Sequence, residues 1–132
     1  MATAVLEFAR TWVQDRIVAA LLAPKPFQDR IEAMLSAVHE LYDGGDEPCI
    51  VASMMIGAED DAMQETLSAL LVDWMAALRA ALVESGVRPE DAERKAAAIV
   101  GRIEGGLMLS RALEQRQFFI DALDSIRNEI WT

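Results

Sequence analysis

Helical periodicity constrains the fold of this chain more than any other feature. Apolar residues recur three and four positions apart along almost the whole sequence, which is the spacing of one face of an α-helix. No alternation of apolar and polar residues between turn residues indicates a strand. Good helix formers such as Ala, Leu and Glu are abundant. The sequence therefore predicts an all-α fold, a single bundle of about six helices.

Prolines and glycines mark the ends of these helices. Pro24 and Pro26 end the first helix, because the residue before a proline avoids the helical region. Gly86 suits the C-terminal cap of the long fourth helix, and Pro89 suits the first turn of the fifth. The predicted helices span approximately residues 2–22, 27–42, 49–57, 61–86, 89–114 and 118–130.

The net charge and the scarcity of cysteine and histidine argue against several classes of function. The chain has 132 residues, a formal net charge of −10, one cysteine and one histidine. Such an acidic domain is a poor partner for nucleic-acid phosphates, and it cannot build a disulfide framework or a multi-histidine metal site. No apolar run approaches the ~20 residues of a membrane span, and the first residues do not form a secretory signal. We therefore expect a cytoplasmic protein.

Enzyme signatures are mostly absent from the sequence. It has no Gly-rich phosphate loop after a strand and no Gly-x-Ser-x-Gly turn. His39 and Cys49 lie on either side of a Gly-Gly turn and could meet, but no third group is evident to orient such a nucleophile pair. The acidic residues 43–47 lack the ligand spacing of a calcium-binding loop. We expect that the protein is not an enzyme and that it binds no cofactor and no metal. Catalysis by Cys49 or by carboxylates is the least favoured alternative.

Soft and aromatic side chains are spread over several of the predicted helices. The chain has seven methionines and three tryptophans, and methionine is common in surfaces that accept ligands of different shapes. Ordinary core packing explains any one of these residues. Together they permit an apolar small-molecule pocket inside the bundle.

The penultimate helix carries small residues where a helix does not favour them. Gly101, Gly105 and Gly106 lie inside it, and each glycine costs ~1 kcal/mol relative to alanine. A stripe of small residues lets another backbone come close, either in the same domain or in a second copy. The apolar residues Ile126 and Ile130 near the chain end also need a cover. Two helices from each of two protomers, packed with two-fold symmetry, would supply it.

Four segments of the chain are similar to one known family. Residues 99–113, IVGRIEGGLMLSRAL, resemble the penultimate helix of TetR-family transcriptional regulators, in particular the subgroup of LmrA/YxaF-type repressors. Residues 42–51 resemble the turn into that subgroup's short sixth helix, and residues 56–60 its Leu-Gly-x-Glu segment. Residues 119–123 resemble the start of the family's final helix.

The resemblance implies that residues 1–132 form the effector-binding and dimerisation domain of a repressor, without the family's DNA-binding domain. Either the chain is part of a longer regulator or it is a stand-alone effector-binding dimer. In the family mechanism an effector moves the connecting helix, which corresponds to the first helix here, and so changes the spacing of the DNA-reading heads. The alternative is a structural or protein-interaction bundle that binds no small molecule.

The resemblance and the helical phase together place two sets of residues. The implied partners are a second copy of the chain and a small lipophilic effector, with DNA contacted only through a separate helix-turn-helix domain. The pocket would be lined by residues from several helices, with His39 as a polar contact: Phe8, Trp12, Met34, Val38, His39, Met54, Met55, Trp74 and Leu78. The dimer interface would use the last two long helices, through Gly101, Gly105, Leu109, Ala112, Phe119, Leu123 and Ile126.

Overall fold

Five helices account for most of the residues that the computed structural model describes, which are residues 7–8, 10–41 and 61–129. In chain order they are α1 (Val13–Val18 followed by Ala19–Leu22), α2 (Phe27–Leu41), α3 (Asp61–Glu84), α4 (Pro89–Leu113) and α5 (Gln117–Glu129). These ranges contain no strand, which confirms the predicted all-α fold. The predicted short helix at residues 49–57 lies outside the described residues. Within the described ranges, no helix is long and apolar enough to cross a membrane.

The π-helical segment of α1, Val13–Val18, follows α-helical residues 10–12 and continues as the α-helix Ala19–Leu22. The backbone N–H of Ala19 donates to the carbonyl oxygen of Gln14, five residues back. The helix ends where Ala23 becomes extended, with ψ 148°, directly before Pro24. This end agrees with the prediction, because proline excludes the helical region for the residue before it.

The turn between α3 and α4 has the cap that its sequence predicts. Gly86 has a φ of 110°, a left-handed conformation that glycine adopts without steric penalty. The N–H of Gly86 donates to Val83 O and that of Val87 to Leu82 O, at 3.0 and 3.1 Å, which is the Schellman pattern at a helix C-terminus. Pro89 then occupies the first turn of α4, where its missing N–H leaves no hydrogen bond unmade.

The first turn of α4 also carries a small ion-pair cluster around Asp91. Arg94 donates to one carboxylate oxygen of Asp91, and Arg88 donates to the other at 3.2 Å. The hydrogen bond from Arg94, followed by that from Arg88, lowers the pKa of the Asp91 carboxyl. A carboxylate in the first turn also interacts favourably with the helix dipole, so the negative charge suits this position.

The core lies where α4 packs between α3 and α5, and where α1 packs against α2 and α3. Trp74 of α3 and Phe119 of α5 are the largest fully buried side chains. The α4–α5 turn is fixed by Ser110 of α4, whose buried Oγ accepts a hydrogen bond from the backbone N–H of Phe119 at 2.9 Å. Between these helices Glu114 adopts the left-handed conformation, with φ 55°.

The backbones of α4 and α5 come close at Gly106. A Cβ atom placed there would lie 2.9 Å from Ala122 Cβ and 3.1 Å from the backbone oxygen of Phe118. Both distances are shorter than ordinary van der Waals contact, and neither neighbour is the end of a flexible side chain. One of the three glycines inside this helix is therefore required by packing within the chain.

We expect the substitution Gly106→Ala to lower the free energy of unfolding by about 1–3 kcal/mol, because overpacking outweighs the ~1 kcal/mol that alanine gains in helix propensity. The matched control is Gly101→Ala, whose Cβ would meet nothing within 4 Å and which should be neutral or stabilising. Urea unfolding of both variants at one low protein concentration makes the comparison. Unchanged or increased stability of Gly106→Ala would contradict the close approach.

Candidate functional site

Four of the predicted pocket residues meet in the core. Met34 and Val38 of α2 and Trp74 and Leu78 of α3 belong to one cluster, and each is at most 1% exposed. Trp74 Nε1 donates a hydrogen bond to Met34 Sδ at 3.4 Å, so this deeply buried indole has a partner. All four side chains are therefore part of the core, and their role as pocket residues stays a prediction.

Phe8 and Trp12 precede α1 in the chain, and Trp12 adjoins the buried Val13. Phe8 is 59% exposed, and its ring centroid lies 6.3 Å from that of the half-buried Trp12. The Arg16 guanidinium carbon lies 4.6 Å from the Trp12 ring centroid, which is a cation–π distance. Arg16 also donates to Glu40 of α2 at 2.7 Å. One exposed and one half-buried aromatic ring therefore lie directly before the buried residues of α1.

His39 lies on the surface rather than among the buried residues. Its side chain is exposed, and its ring centroid is 6.3 Å from that of Phe119. It lines an open groove between α2 and α5 of about 340 Å³, together with Leu35, Ser36, Ile120, Leu123, Asp124 and Arg127. Its predicted role as a polar contact for an effector stays a prediction. Met54 and Met55 lie outside the described residues.

The polar side chains of this groove are largely paired with one another. Arg127 donates through Nε to Glu32 at 2.7 Å and through Nη1 to Asp124 at 2.8 Å. Because both acids neutralise the same guanidinium, the groove presents no unpaired arginine to an anion. Among the described residues, no group of three His, Cys, Asp or Glu side chains could hold a metal ion.

One face of α4 is apolar and exposed. It contains all four residues that were predicted for the dimer interface on this helix, which are Gly101, Gly105, Leu109 and Ala112; Gly105 is partly exposed and the others are exposed. The same face includes Met108 and Leu113, each 52% exposed, which the sequence analysis did not assign to it. We call these six residues the α4 face. The positions of Met108 and Leu113, three or four residues from the predicted members, are the sequence signal that could have placed them on this face.

Gly101 and Gly105 differ from Gly106 in their surroundings. A Cβ atom at either position would meet nothing within 4 Å. Packing within the described part of the chain therefore gives no reason for these two glycines, although each lowers helix propensity by ~1 kcal/mol relative to alanine.

The three predicted interface residues of α5 are buried inside their own chain. Phe119, Leu123 and Ile126 are 0%, 3% and 1% exposed and belong to the core cluster. Their interface role stays a prediction. At the border between α4 and α5, Arg102 donates to Ser125 Oγ at 3.1 Å and to Glu129 at 2.7 Å, so a paired polar rim lies beside the α4 face.

We expect Met34→Leu to destabilise the protein by about 1–2 kcal/mol, because leucine fills similar space but leaves the buried Trp74 N–H without an acceptor. The control is a double-mutant cycle with Trp74→Phe, measured by urea unfolding followed by circular dichroism. In the Trp74→Phe background, Met34→Leu should cost about 1 kcal/mol less. A coupling energy of zero would show that the sulfur contact contributes nothing.

Comparisons with known proteins give one match. A family model described as the transcriptional regulator LmrA/YxaF-like, C-terminal domain (TetR_C_13_2) matches residues 26–125 of the 132. This range includes α2, α3, α4 and most of α5. No curated protein and no solved structure matches the chain.

Proposed function

The chain belongs to the LmrA/YxaF-like C-terminal domain family of TetR-type transcriptional regulators, and from this we propose that it is the effector-sensing and dimerising part of a repressor. Domains of this family are regulatory and non-enzymatic. The observation that carries the proposal is the α4 face, where exposed apolar side chains surround two glycines that packing among the described residues does not require.

A second copy of the chain is the occupant that best suits this face. The six residues extend from position 101 to position 113, about 18 Å along the helix axis at 1.5 Å per residue. Glycines on such a face allow a second backbone to approach closely, which offsets their low helix propensity. A self-complementary stripe of this kind suits a two-fold interface, in which each copy contributes the same patch.

The distribution of charge favours the same arrangement. Residues 67–132, which include α4 and α5, hold eight basic and ten acidic side chains, whereas residues 1–66 hold four and twelve. Two chains that associate through the second half therefore bring together surfaces close to neutral. Association through the strongly acidic half would meet greater electrostatic repulsion.

We expect the wild-type chain to be a dimer at micromolar concentration and Leu109→Asp to be mainly monomeric, because a carboxylate in the α4 face would have to be buried without a partner. The matched control is Arg111→Asp, an exposed position of the same helix outside this face. It changes the charge by more than Leu109→Asp does and should leave the dimer intact. Sedimentation velocity and light scattering measure the oligomeric state.

Gly105→Leu tests the glycines separately, because it removes space without adding charge. It should weaken the dimer by at least about ten-fold while circular dichroism remains helical. A monomeric wild type, or equal effects of Leu109→Asp and Arg111→Asp, would reject this interface.

The proposed effector site lies at the N-terminal end of α1 and extends into the core that α1 shares with α2 and α3. Phe8 and Trp12 supply aromatic surface at its edge, and Met34, Val38, Trp74 and Leu78 form the apolar interior beside it. An effector that binds here contacts α1, the helix that corresponds to the connecting helix of the family. Binding favours one position of α1 over another and so transmits the signal to the DNA-reading heads of a complete regulator.

We expect a panel of lipophilic compounds to contain members that raise the melting temperature at micromolar concentration, because a ligand that binds only the folded state stabilises it. Phe8→Ala should weaken the binding of these compounds about ten-fold and change the unfolding free energy of the free protein by no more than about 0.5 kcal/mol. Leu22→Ala is the matched control, since Leu22 lies at the other end of α1 and is 57% exposed, against 59% for Phe8.

The control variant should bind the same compounds as tightly as the wild type. If no compound in a broad panel stabilises the wild type, the effector role is rejected in favour of the alternative, a helical bundle that associates without a small molecule. Equal losses of affinity in Phe8→Ala and Leu22→Ala would place the site elsewhere.

A further inference from the structure

Trp12 combines partial exposure with a buried polar atom. The residue is half-buried, yet its indole Nε1 is shielded from solvent and has no hydrogen-bond partner in the described part of the chain. A buried tryptophan normally directs its N–H to a partner. A buried donor without one costs about 1–3 kcal/mol of stability. The free protein therefore holds an unfavourable feature at the edge of the proposed effector site.

The second described tryptophan provides the comparison. Trp74 is 1% exposed, and its Nε1 donates to Met34 Sδ. Sulfur is a weak acceptor, so even the most deeply buried indole of this part of the chain has a partner. The two residues carry the same donor, and only that of Trp12 lacks an acceptor.

The backbone next to Trp12 is also unusual. Trp12 directly precedes the π-helical segment Val13–Val18 and itself has α-helical φ and ψ angles of −58° and −48°. A residue inserted into an α-helix rotates the side chains before it by about 100° around the helix axis, relative to the side chains after it. Such segments are rare and occur frequently at functional sites. The Trp12 N–H without a partner and the π-helical turn are therefore adjacent on the helix that the effector is proposed to move.

The other polar side chains around Trp12 are paired among themselves. Arg16 lies over the Trp12 ring and binds Glu40. Gln14 donates to Asp73 at 2.7 Å, and Arg10 lies 3.9 Å from the same carboxylate. Among the side chains named here, the Trp12 N–H is therefore the donor without a partner, and neither arginine is unpaired.

We infer that the effector accepts a hydrogen bond from Trp12 Nε1. This inference rests on the proposed effector site and specifies the ligand class: a flat, lipophilic molecule that packs beside Phe8 and carries an uncharged acceptor, such as a ring nitrogen or a carbonyl oxygen. An uncharged acceptor satisfies the donor without the desolvation penalty of burying an ion. A hydrocarbon of the same shape leaves the donor unsatisfied.

Quinoline and naphthalene form a matched probe pair, because they have the same shape and differ in one ring nitrogen. At pH 8, where quinoline is neutral, we expect the wild type to bind quinoline at least about ten-fold more tightly than naphthalene by calorimetric titration. Trp12→Phe should abolish this preference. The control Leu22→Ala lies outside the proposed site and leaves both described indoles in place, so it should retain the preference.

A measurement on the wild type keeps the test independent of any folding defect in these variants. In ¹⁵N-labelled protein, the indole Hε1 resonance of Trp12, assigned by its absence from Trp12→Phe, should move downfield with quinoline but not with naphthalene, which has no acceptor. Two outcomes overturn the inference and leave the proposed function standing: equal affinities for the two probes, or bound quinoline that does not move this resonance downfield. Failure of both probes and of the whole panel overturns the proposed function as well.

Discussion

The close contact between α4 and α5 at Gly106 is the constraint on which the second half of the structure depends. Because Ala122 and the Phe118 backbone occupy the space of a Cβ atom, the two helices pack backbone to backbone. The hydrogen bond between Ser110 Oγ and the Phe119 N–H then fixes where α5 begins. This contact buries Phe119, Leu123 and Ile126 in the chain's own core, and no other described helix covers the opposite side of α4. The proposed dimer surface is therefore a consequence of how α5 packs.

The glycines of α4 serve two different purposes despite their similar local sequence. All three reduce helix propensity, so each requires a compensating contact. Gly106 has that contact within the chain, whereas Gly101 and Gly105 have open space around them. Trp12 presents a similar case among polar atoms, since its donor lacks the partner that Trp74 has. The two glycines and the unpaired Trp12 N–H both lower the stability of the isolated chain. A second copy of the chain would compensate for the glycines, and an effector with a hydrogen-bond acceptor would pair with the Trp12 N–H.

Much of the fold could be predicted from the sequence, and less of the candidate site. The helix ends at Pro24, Gly86 and Pro89 were predictable because caps and turns depend on residues a few positions apart. The meeting of Met34 with Trp74 followed from helical phase. The exposure of His39 and Met108 could not be predicted in this way. Helical phase shows which residues share a face of a helix, but not which neighbouring helix covers that face. The π-helical segment of α1 left no recognisable pattern in the sequence.

The sequence by itself determined that the chain is all-α, where most described helices begin and end, and which stripe of α4 carries small residues. It also carried the resemblance through which the family was expected, and the family model confirmed that expectation. Only the tertiary structure decided which glycine is required by packing, which apolar side chains remain exposed, and which indole lacks an acceptor. The physical reason is that helix formation depends on interactions within about one turn, whereas burial and hydrogen-bond partners come from residues far apart in the chain.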